Sequence, residues 1–155
     1  MRSFVLAGRA GVLALAMAAL TAAADRQMKD GKLATYPVEA GDTVYKGALV
    51  MTDADGYLKA GADAAAHVFA GIADETVSNA SGADGDASCR VRLTGIYLFA
   101  MAGATQAAVG KKCYVADDNT VALAATTAND VWCGDVVALE SAASVWVRID
   151  RAIGG

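Results

Sequence analysis

The clearest alternation of apolar and polar residues lies in residues 40–75, and it predicts a small β unit. Residues 43–51 (TVYKGALVM) are β-branched and apolar, with Gly47 as a candidate bulge. The tetrapeptide DADG at 53–56 is a hairpin-turn signal that leads into a second short strand. Residues 67–73 (HVFAGIA) have the composition of a buried strand. The pattern therefore predicts strand, turn, strand, connection and strand.

Further strands are predicted before and after this unit. Residues 32–38 (KLATYPV) form a predicted strand, in which Pro37 favours a sheet edge or a strand end because proline has no N–H. Residues 76–88 (TVSNASGADGDAS) are polar and glycine-rich, which predicts an exposed loop. Residues 89–101 (CRVRLTGIYLFAM) are the longest strand candidate, alternating at first and apolar on both sides after the central glycine. A helical turn is expected within residues 103–109.

The first unit recurs in a degraded form in the second half of the chain. Residues 109–115 (VGKKCYV) resemble 40–46 (AGDTVYK), and residues 131–134 (VWCG) resemble 68–71 (VFAG). A turn and an arginine-bearing strand recur as well, in 117–120 against 53–56 and in 144–150 against 88–93. Chance reuse of glycine turns is the alternative to an internal duplication.

A duplicated four-strand unit predicts an all-β fold, either a small barrel or a sandwich of about eight short strands. We expect one β domain over residues 31–150, a tail at 151–155, and an N-terminal extension or arm over residues 1–30.

The N-terminal residues have two interpretations. An apolar run at 12–20 (VLALAMAAL) follows two arginines and precedes Ala22 and Ala24, which suit signal-peptide cleavage before Asp25. Met17, however, is an alternative start, and an uncleaved alanine- and leucine-rich stretch has good helix propensity and would dock on a neighbour. The apolar run is short for a membrane span, so no membrane association is expected.

Composition disfavours one class of partner and favours another. The formal net charge is −4 and the sequence pI is about 4.8, which disfavours a nucleic-acid surface. Hydrophobic residues make up 55% and charged residues 19%, so we expect apolar surface that a partner or a second copy covers. The three cysteines, Cys89, Cys113 and Cys133, fit no zinc spacing and are expected to be small buried strand residues without a disulfide framework.

Catalytic chemistry has few candidates in this sequence. His67 is the sole histidine, and it begins an apolar strand without a nucleophile motif nearby. The aspartates of 53–56 and of Asp84-Gly85-Asp86 have part of a calcium-loop spacing, but neither loop has the complete ligand set, and short Asp-Gly sequences are first of all turn formers. We therefore predict a protein that is not an enzyme and that needs neither a cofactor nor a metal.

Four aromatic residues are candidates for contacts between copies, because buried aromatic side chains dominate interface energetics. They are Tyr97, Phe99, Trp132 and Trp146. Packing in the core of the domain is the alternative for each of them.

Short motifs occur along the chain in a specific order. They are ADR at 24–26, DGKL at 30–33, YPVEAG at 36–41, YKGALV at 45–50, DGY at 55–57, FAGIADE at 69–75, VRLTG at 91–95, VGK at 109–111 and SVWV at 144–147. In this order they resemble the small structural proteins of tailed-phage and prophage head modules, which are similar in role to head-decoration, or cement, proteins. The resemblance covers roughly residues 17–150, whereas residues 1–16 depart from the pattern.

The resemblance implies a β-barrel-like module that assembles as a homo-oligomer, such as a trimer, on a shell of major capsid protein. The protein would then be found on the virion surface, after assembly in the host cytoplasm. Candidate capsid contacts lie in the N-terminal arm and are Met17, Leu20, Thr21, Arg26 and Met28. The alternative is a secreted or cell-surface β protein that self-assembles or binds a ligand.

Overall fold

The computed structural model describes residues 21–24, 26–29 and 31–150. This part of the chain is almost all β, as the sequence predicts. Its strands are β1 (Leu33–Pro37), β2 (Thr43–Val44), β3 (Leu49–Thr52), β4 (Leu58–Ala60), β5 (Val68–Ala73), β6 (Val77–Ser78), β7 (Ser88–Arg92), β8 (Thr94–Ala100), β9 (Lys112–Val115), β10 (Val121–Ala122), β11 (Trp132–Ser141) and β12 (Ser144–Asp150). Two short 3₁₀ helices, Gln106–Ala108 and Ala124–Thr126, complete the described elements, and the first lies where a helical turn is predicted.

Two five-stranded antiparallel sheets have the same strand order. The first runs β1-β7-β5-β3-β4, and the second, read from its other edge, runs β8-β12-β11-β9-β10. Each strand of the first sheet thus has a counterpart in the second, which supports the predicted duplication. A third sheet, β2 with β6, belongs to the first repeat. Pro37 ends β1 at the edge of its sheet, as expected.

Hydrogen bonds show which residues of the repeats correspond. The amide of Gly47 donates to Ala73 O over 2.8 Å, and the amide of Gly110 donates to Val136 O over 2.8 Å. Gly47 therefore corresponds to Gly110, with an offset of 63 residues. The sequence match of 40–46 with 109–115 is wrong by six residues, because the Gly-x-x-x-Tyr spacing that the two segments share does not mark equivalent structure.

The same offset relates Gly71 to Gly134, and both lie at a close crossing of strands. A Cβ atom on Gly71 would collide with the carbonyl oxygen of Arg92, and one on Gly134 would collide with that of Arg148. Each glycine also lies at a register shift against the neighbouring strand. A backbone that approaches so closely requires glycine, so both repeats preserve the same bulge.

Two predicted strands are each divided in the structure. Residues 43–51 form β2 and β3, separated by a turn in which the amide of Ala48 donates to Tyr45 O and Gly47 has a positive φ of 89°. Residues 89–101 form β7 and β8, which lie in different sheets and are separated by Leu93. The division at Leu93 ends the first repeat and begins the second.

The buried side chains form two clusters. The smaller lies inside the first repeat, and its members include Val38, Val44, Leu58, Cys89 and Val91. The larger fills the second repeat and joins it to the first, because it also contains the side chains of Leu49, Met51, Phe69 and Ile72. All three cysteines are buried and free, so their predicted burial is confirmed.

Candidate partner-binding surface

His67 lies directly before β5 in a half-buried position. Its Nδ1 is 2.6 Å from the carbonyl oxygen of Ala65, two residues earlier. Over the part of the chain that the structure describes, there is no group of three or more His, Cys, Asp or Glu side chains that could hold a metal ion.

The acidic residues of both loops bind backbone amides of their own turns or of an adjacent one. Asp53 Oδ1 accepts from the amides of Tyr57 and Asp55, each over 2.9 Å, and the bond from Tyr57 is the main cause that lowers the pKa of Asp53. Asp84 Oδ1 accepts from the amide of Ala40, and Asp86 Oδ2 accepts from the amide of Ala83. These carboxylates therefore stabilise turns, as expected of Asp-Gly sequences.

The connection at 76–88 is more ordered than the predicted exposed loop. It contains β6, and Asn79 within it is only 4% exposed. Asn79 Nδ2 donates to Val38 O and Glu39 O over 3.1 Å each and to Ala83 O over 2.8 Å. The connection thus folds over the first repeat and is held there by a buried amide side chain, which polar composition did not indicate.

An apolar patch lies on the outward side of the second sheet, beside the charged register partners Asp135 and Arg148, and we call it the outer face. It consists of Ile96 and Leu98 on β8, Trp146 on β12, and Val137 and Ala138 on β11. Leu98 and Ala138 flank Trp146 on either side, since both are its register partners. Ile96, Leu98 and Val137 are 50%, 47% and 36% exposed. An exposed apolar patch of this kind, with charged residues at its border, is typical of a protein interaction site.

The corresponding region of the first repeat is charged. Arg92 Nε lies 2.7 Å from Asp74 Oδ1, and Arg90 lies 3.6 Å from Asp74 and 3.4 Å from Glu75. Counterparts of Asp74 and Arg90 in the second repeat are Val137 and Trp146. Leu33, the counterpart of Ile96 and the register partner of Arg92, is likewise exposed (44%), so the outer face differs from the first repeat chiefly at Val137 and Trp146.

The four candidate aromatic contacts fall in different environments. Trp146 belongs to the outer face, and its Nε1 donates to Glu140 Oε2 over 2.7 Å. Trp132 is half-buried, with Lys112 Nζ 5.1 Å from its ring centroid. Tyr97 is half-buried and donates to Thr94 O, while Phe99 is 5% exposed within the larger cluster. The structure thus agrees with the core-packing alternative for Phe99 in the single chain.

Three of the candidate arm residues are described, and all are exposed. They are Thr21, Arg26 and Met28, and Met28 is 92% exposed. Met17 and Leu20 lie outside the described residues, as does the predicted tail at 151–155. Within the described ranges no helix has the length and apolar character needed to cross a membrane.

Comparison with protein-family models, with curated proteins and with solved structures found no match.

Proposed function

We propose that this protein is a non-enzymatic structural protein that decorates and stabilises a tailed-phage capsid by binding its shell of major capsid protein. It acts as a homo-oligomer on the outside of the shell. The N-terminal arm and the outer face are its contact surfaces.

The outer face is the observation that carries the proposal. A decoration protein needs extended contact surfaces and no reacting group, and the outer face presents three exposed large apolar side chains beside Trp146. Burial of apolar surface drives association, and tryptophan is enriched among residues that dominate interfaces. Repetition over a symmetric shell strengthens modest contacts by avidity. The order of the sequence motifs supports the shell as the partner.

Binding to isolated capsid shells tests the proposal. Wild-type protein should sediment with expanded shells and raise their resistance to heat or shear. Leu98→Arg should weaken binding at least about tenfold, since it places a charge in the outer face, where a buried unpaired charge is costly. Val68→Arg is the matched control, because Val68 is 46% exposed against 47% for Leu98 and lies in the first repeat. Equal binding of the two variants, or no binding of the wild type, would contradict the proposal.

The arm and the oligomer are tested separately. Deletion of residues 1–30 should leave the β domain folded and reduce shell binding. Analytical ultracentrifugation should find an oligomer, and a monomer at all concentrations would exclude the homo-oligomer.

The signal-like residues 1–24 favour a second candidate, a secreted or cell-surface β protein that self-assembles or binds a ligand. N-terminal sequencing distinguishes the two. A mature chain that begins at Asp25 favours secretion, and one that begins at Met1 or Met17 favours the decoration protein.

A further inference from the structure

An apolar cavity of about 430 Å³ opens on the second repeat. It lies between the segment that follows β8 and the region of β10 and the second 3₁₀ helix. Its lining is dominated by small and apolar residues, among them Met101, Ala104, Ala108, Ala116, Val121 and Leu123. Alanine side chains around an apolar cavity leave room for larger side chains supplied by another segment.

In the first repeat, a long connection covers the segment that is equivalent to part of the cavity lining. With the offset of 63 residues, the cavity-lining segment 101–105 corresponds to residues 38–42. In the first repeat, that segment is covered by the connection 74–87, since Asn79 donates to Val38 O and Glu39 O, and Asp84 accepts from the amide of Ala40. In the second repeat, the connection 137–143 supplies backbone carbonyls to the equivalent segment but no side-chain counterpart of Asn79.

The difference follows from the length of one connection. Fourteen residues (74–87) separate the equivalent positions in the first repeat, and seven (137–143) in the second. The shorter connection supplies the carbonyl oxygens of Ala143 and Ala142 to the amides of Met101 and Ala104, each over 3.0 Å. It has no counterpart of β6 or of Asn79, so the cavity remains uncovered by the described chain.

We propose that the cavity binds residues 12–20 (VLALAMAAL) of the same chain, which then cover the side of the second repeat that has no counterpart of β6 and Asn79. The segment matches the cavity chemically, since every residue in it is apolar. Burial of leucine and methionine side chains in an alanine-lined cavity removes apolar surface of both from water.

The segment is long enough to reach the cavity. Lys32 O accepts from the amide of Leu93 over 2.9 Å, so the chain enters the domain beside the start of β8. From Leu93 to Met101 is eight residues of extended chain, or about 26 Å. The twelve residues from Leu20 to Lys32 span up to about 40 Å when extended. Residues 21–24 and 26–29 are exposed, as a connecting segment would be.

This inference concerns the free chain and does not depend on the proposed function. It gives Met17 and Leu20 a binding site within the protein before any shell is met. If the same residues later contact a capsid, the cavity and the shell compete for them.

Site-specific photo-crosslinking on the full-length chain tests the proposal. A benzophenone amino acid at Ala125, an exposed residue of the cavity lining, should crosslink within one chain to a peptide that contains residues 12–20, as identified by mass spectrometry. The same probe at Ala54, an exposed alanine of the first repeat, is the control and should not crosslink to that peptide.

The double variant Leu15→Asp with Leu20→Asp keeps the test independent of folding, because both positions lie outside the β domain. It should reduce the crosslink from Ala125 at least about fivefold, since charged side chains do not enter an apolar cavity, and leave the unfolding temperature of the β domain within a few degrees. The proposal is overturned by a crosslink to another peptide or to a second copy, by no crosslink, or by a purified chain that begins at Met17 or Asp25. Shell binding has no part in this experiment, and a start at Met17 would overturn this proposal while it favours the proposed function, so the two proposals can fail separately.

Discussion

Substitution of Asn79 is the most direct test of how the connection 74–87 is held. Its side-chain amide is 4% exposed, and Nδ2 donates to the carbonyls of Val38, Glu39 and Ala83. Asn79→Ala removes this donor group and leaves the three carbonyl oxygens without it. Asn79→Asp keeps the shape of the side chain but replaces the donor with an acceptor.

The expected loss follows from the number of bonds. A buried hydrogen bond contributes about 1 kcal/mol. Each of the three carbonyls also accepts from a backbone amide, that of Gly85, Asp42 or Asp86, so Asn79→Ala leaves none of them unsatisfied. Because the bonds of two amide hydrogens are lost, we expect Asn79→Ala to lower the free energy of unfolding by about 2 kcal/mol. With a urea m-value of about 1–3 kcal/mol per molar, the unfolding midpoint should fall by about 0.7–2 M. Asn79→Asp should cost more at neutral pH, since it places a carboxylate against three carbonyl oxygens.

The pH dependence separates the two variants. Burial and the facing carbonyls would raise the pKa of an aspartate at position 79 above its unfolded value of about 4. A raised folded pKa means that stability is greatest below the unfolded pKa and decreases as pH rises through the folded pKa. The gap in stability between Asn79→Asp and Asn79→Ala should therefore widen from about pH 4 to about pH 7.

Urea unfolding followed by tryptophan fluorescence at the two pH values measures these differences. Asn119→Asp is the matched control, because Asn119 lies exposed in a turn of the second repeat. That control should change stability by less than about 0.5 kcal/mol. If Asn79→Ala is as stable as the wild type, the connection 74–87 is not anchored as described.

Three further predictions concern the bulge, the contact between repeats and the thiols. Gly134→Ala should lower the free energy of unfolding by about 3 kcal/mol, because the added Cβ collides with a backbone carbonyl. Gly110→Ala has open space around it and should lower the free energy of unfolding by about 1 kcal/mol. Equal losses of the two variants in urea unfolding would contradict this prediction. Hydrogen bonds from the amides of residues 128–129 lower the pKa of Asp63. The contribution of Asp63 to the free energy of unfolding is therefore present above the unfolded pKa and is lost as pH falls through the folded pKa. Asp63→Asn should make the free energy of unfolding depend less on pH below about pH 4. A hydrogen bond to the thiol of Cys113, together with burial, raises the pKa of Cys133. Cys133 should therefore resist alkylation in the native protein and react completely in urea. Rapid labelling of this thiol in the native protein would refute its burial.

Local signals predict the short-range structure well. The DADG turn, the alternation of β7 and β12, and the edge position of Pro37 all depend on residues close in sequence. The duplication is visible for a similar reason, because Gly71 and Gly134 each occur within a Val-aromatic-x-Gly sequence. Only glycine tolerates the crossing strand at these positions, so the requirement is preserved in both repeats.

Features that depend on the other repeat could not be predicted. Residues 89–101 contain no breaker at Leu93, where the chain leaves one sheet for the other, since the division is set by which partners β7 and β8 find. Asn79 lies in a polar sequence that is typical of an exposed loop, and its burial depends on the carbonyls of Val38 and Glu39, far earlier in the chain. The outer face escapes prediction in the same way, because Ile96 and Leu98 belong to a run that is apolar on both sides.

The outward sides of the two repeats differ in composition. On the outward side of the first repeat, Leu49, Met51, Phe69 and Ile72 are apolar and are buried in the larger cluster that joins the repeats. Their counterparts in the second repeat are Lys112, Tyr114, Trp132 and Asp135, which are not part of that cluster.

Within this chain, then, outward positions are strongly apolar where a neighbour covers them and charged or aromatic where none does. On β7 the outward side chains of Arg90 and Arg92 follow that rule, since they form exposed ion pairs. Ile96, Leu98 and Val137 depart from it, as does Leu33 beside Arg92, because they are apolar and exposed in the single chain. The same rule therefore predicts a covering partner for these residues. Leu98→Arg should accordingly disrupt association with that partner while it leaves the unfolding free energy of the single chain within about 0.5 kcal/mol of the wild type.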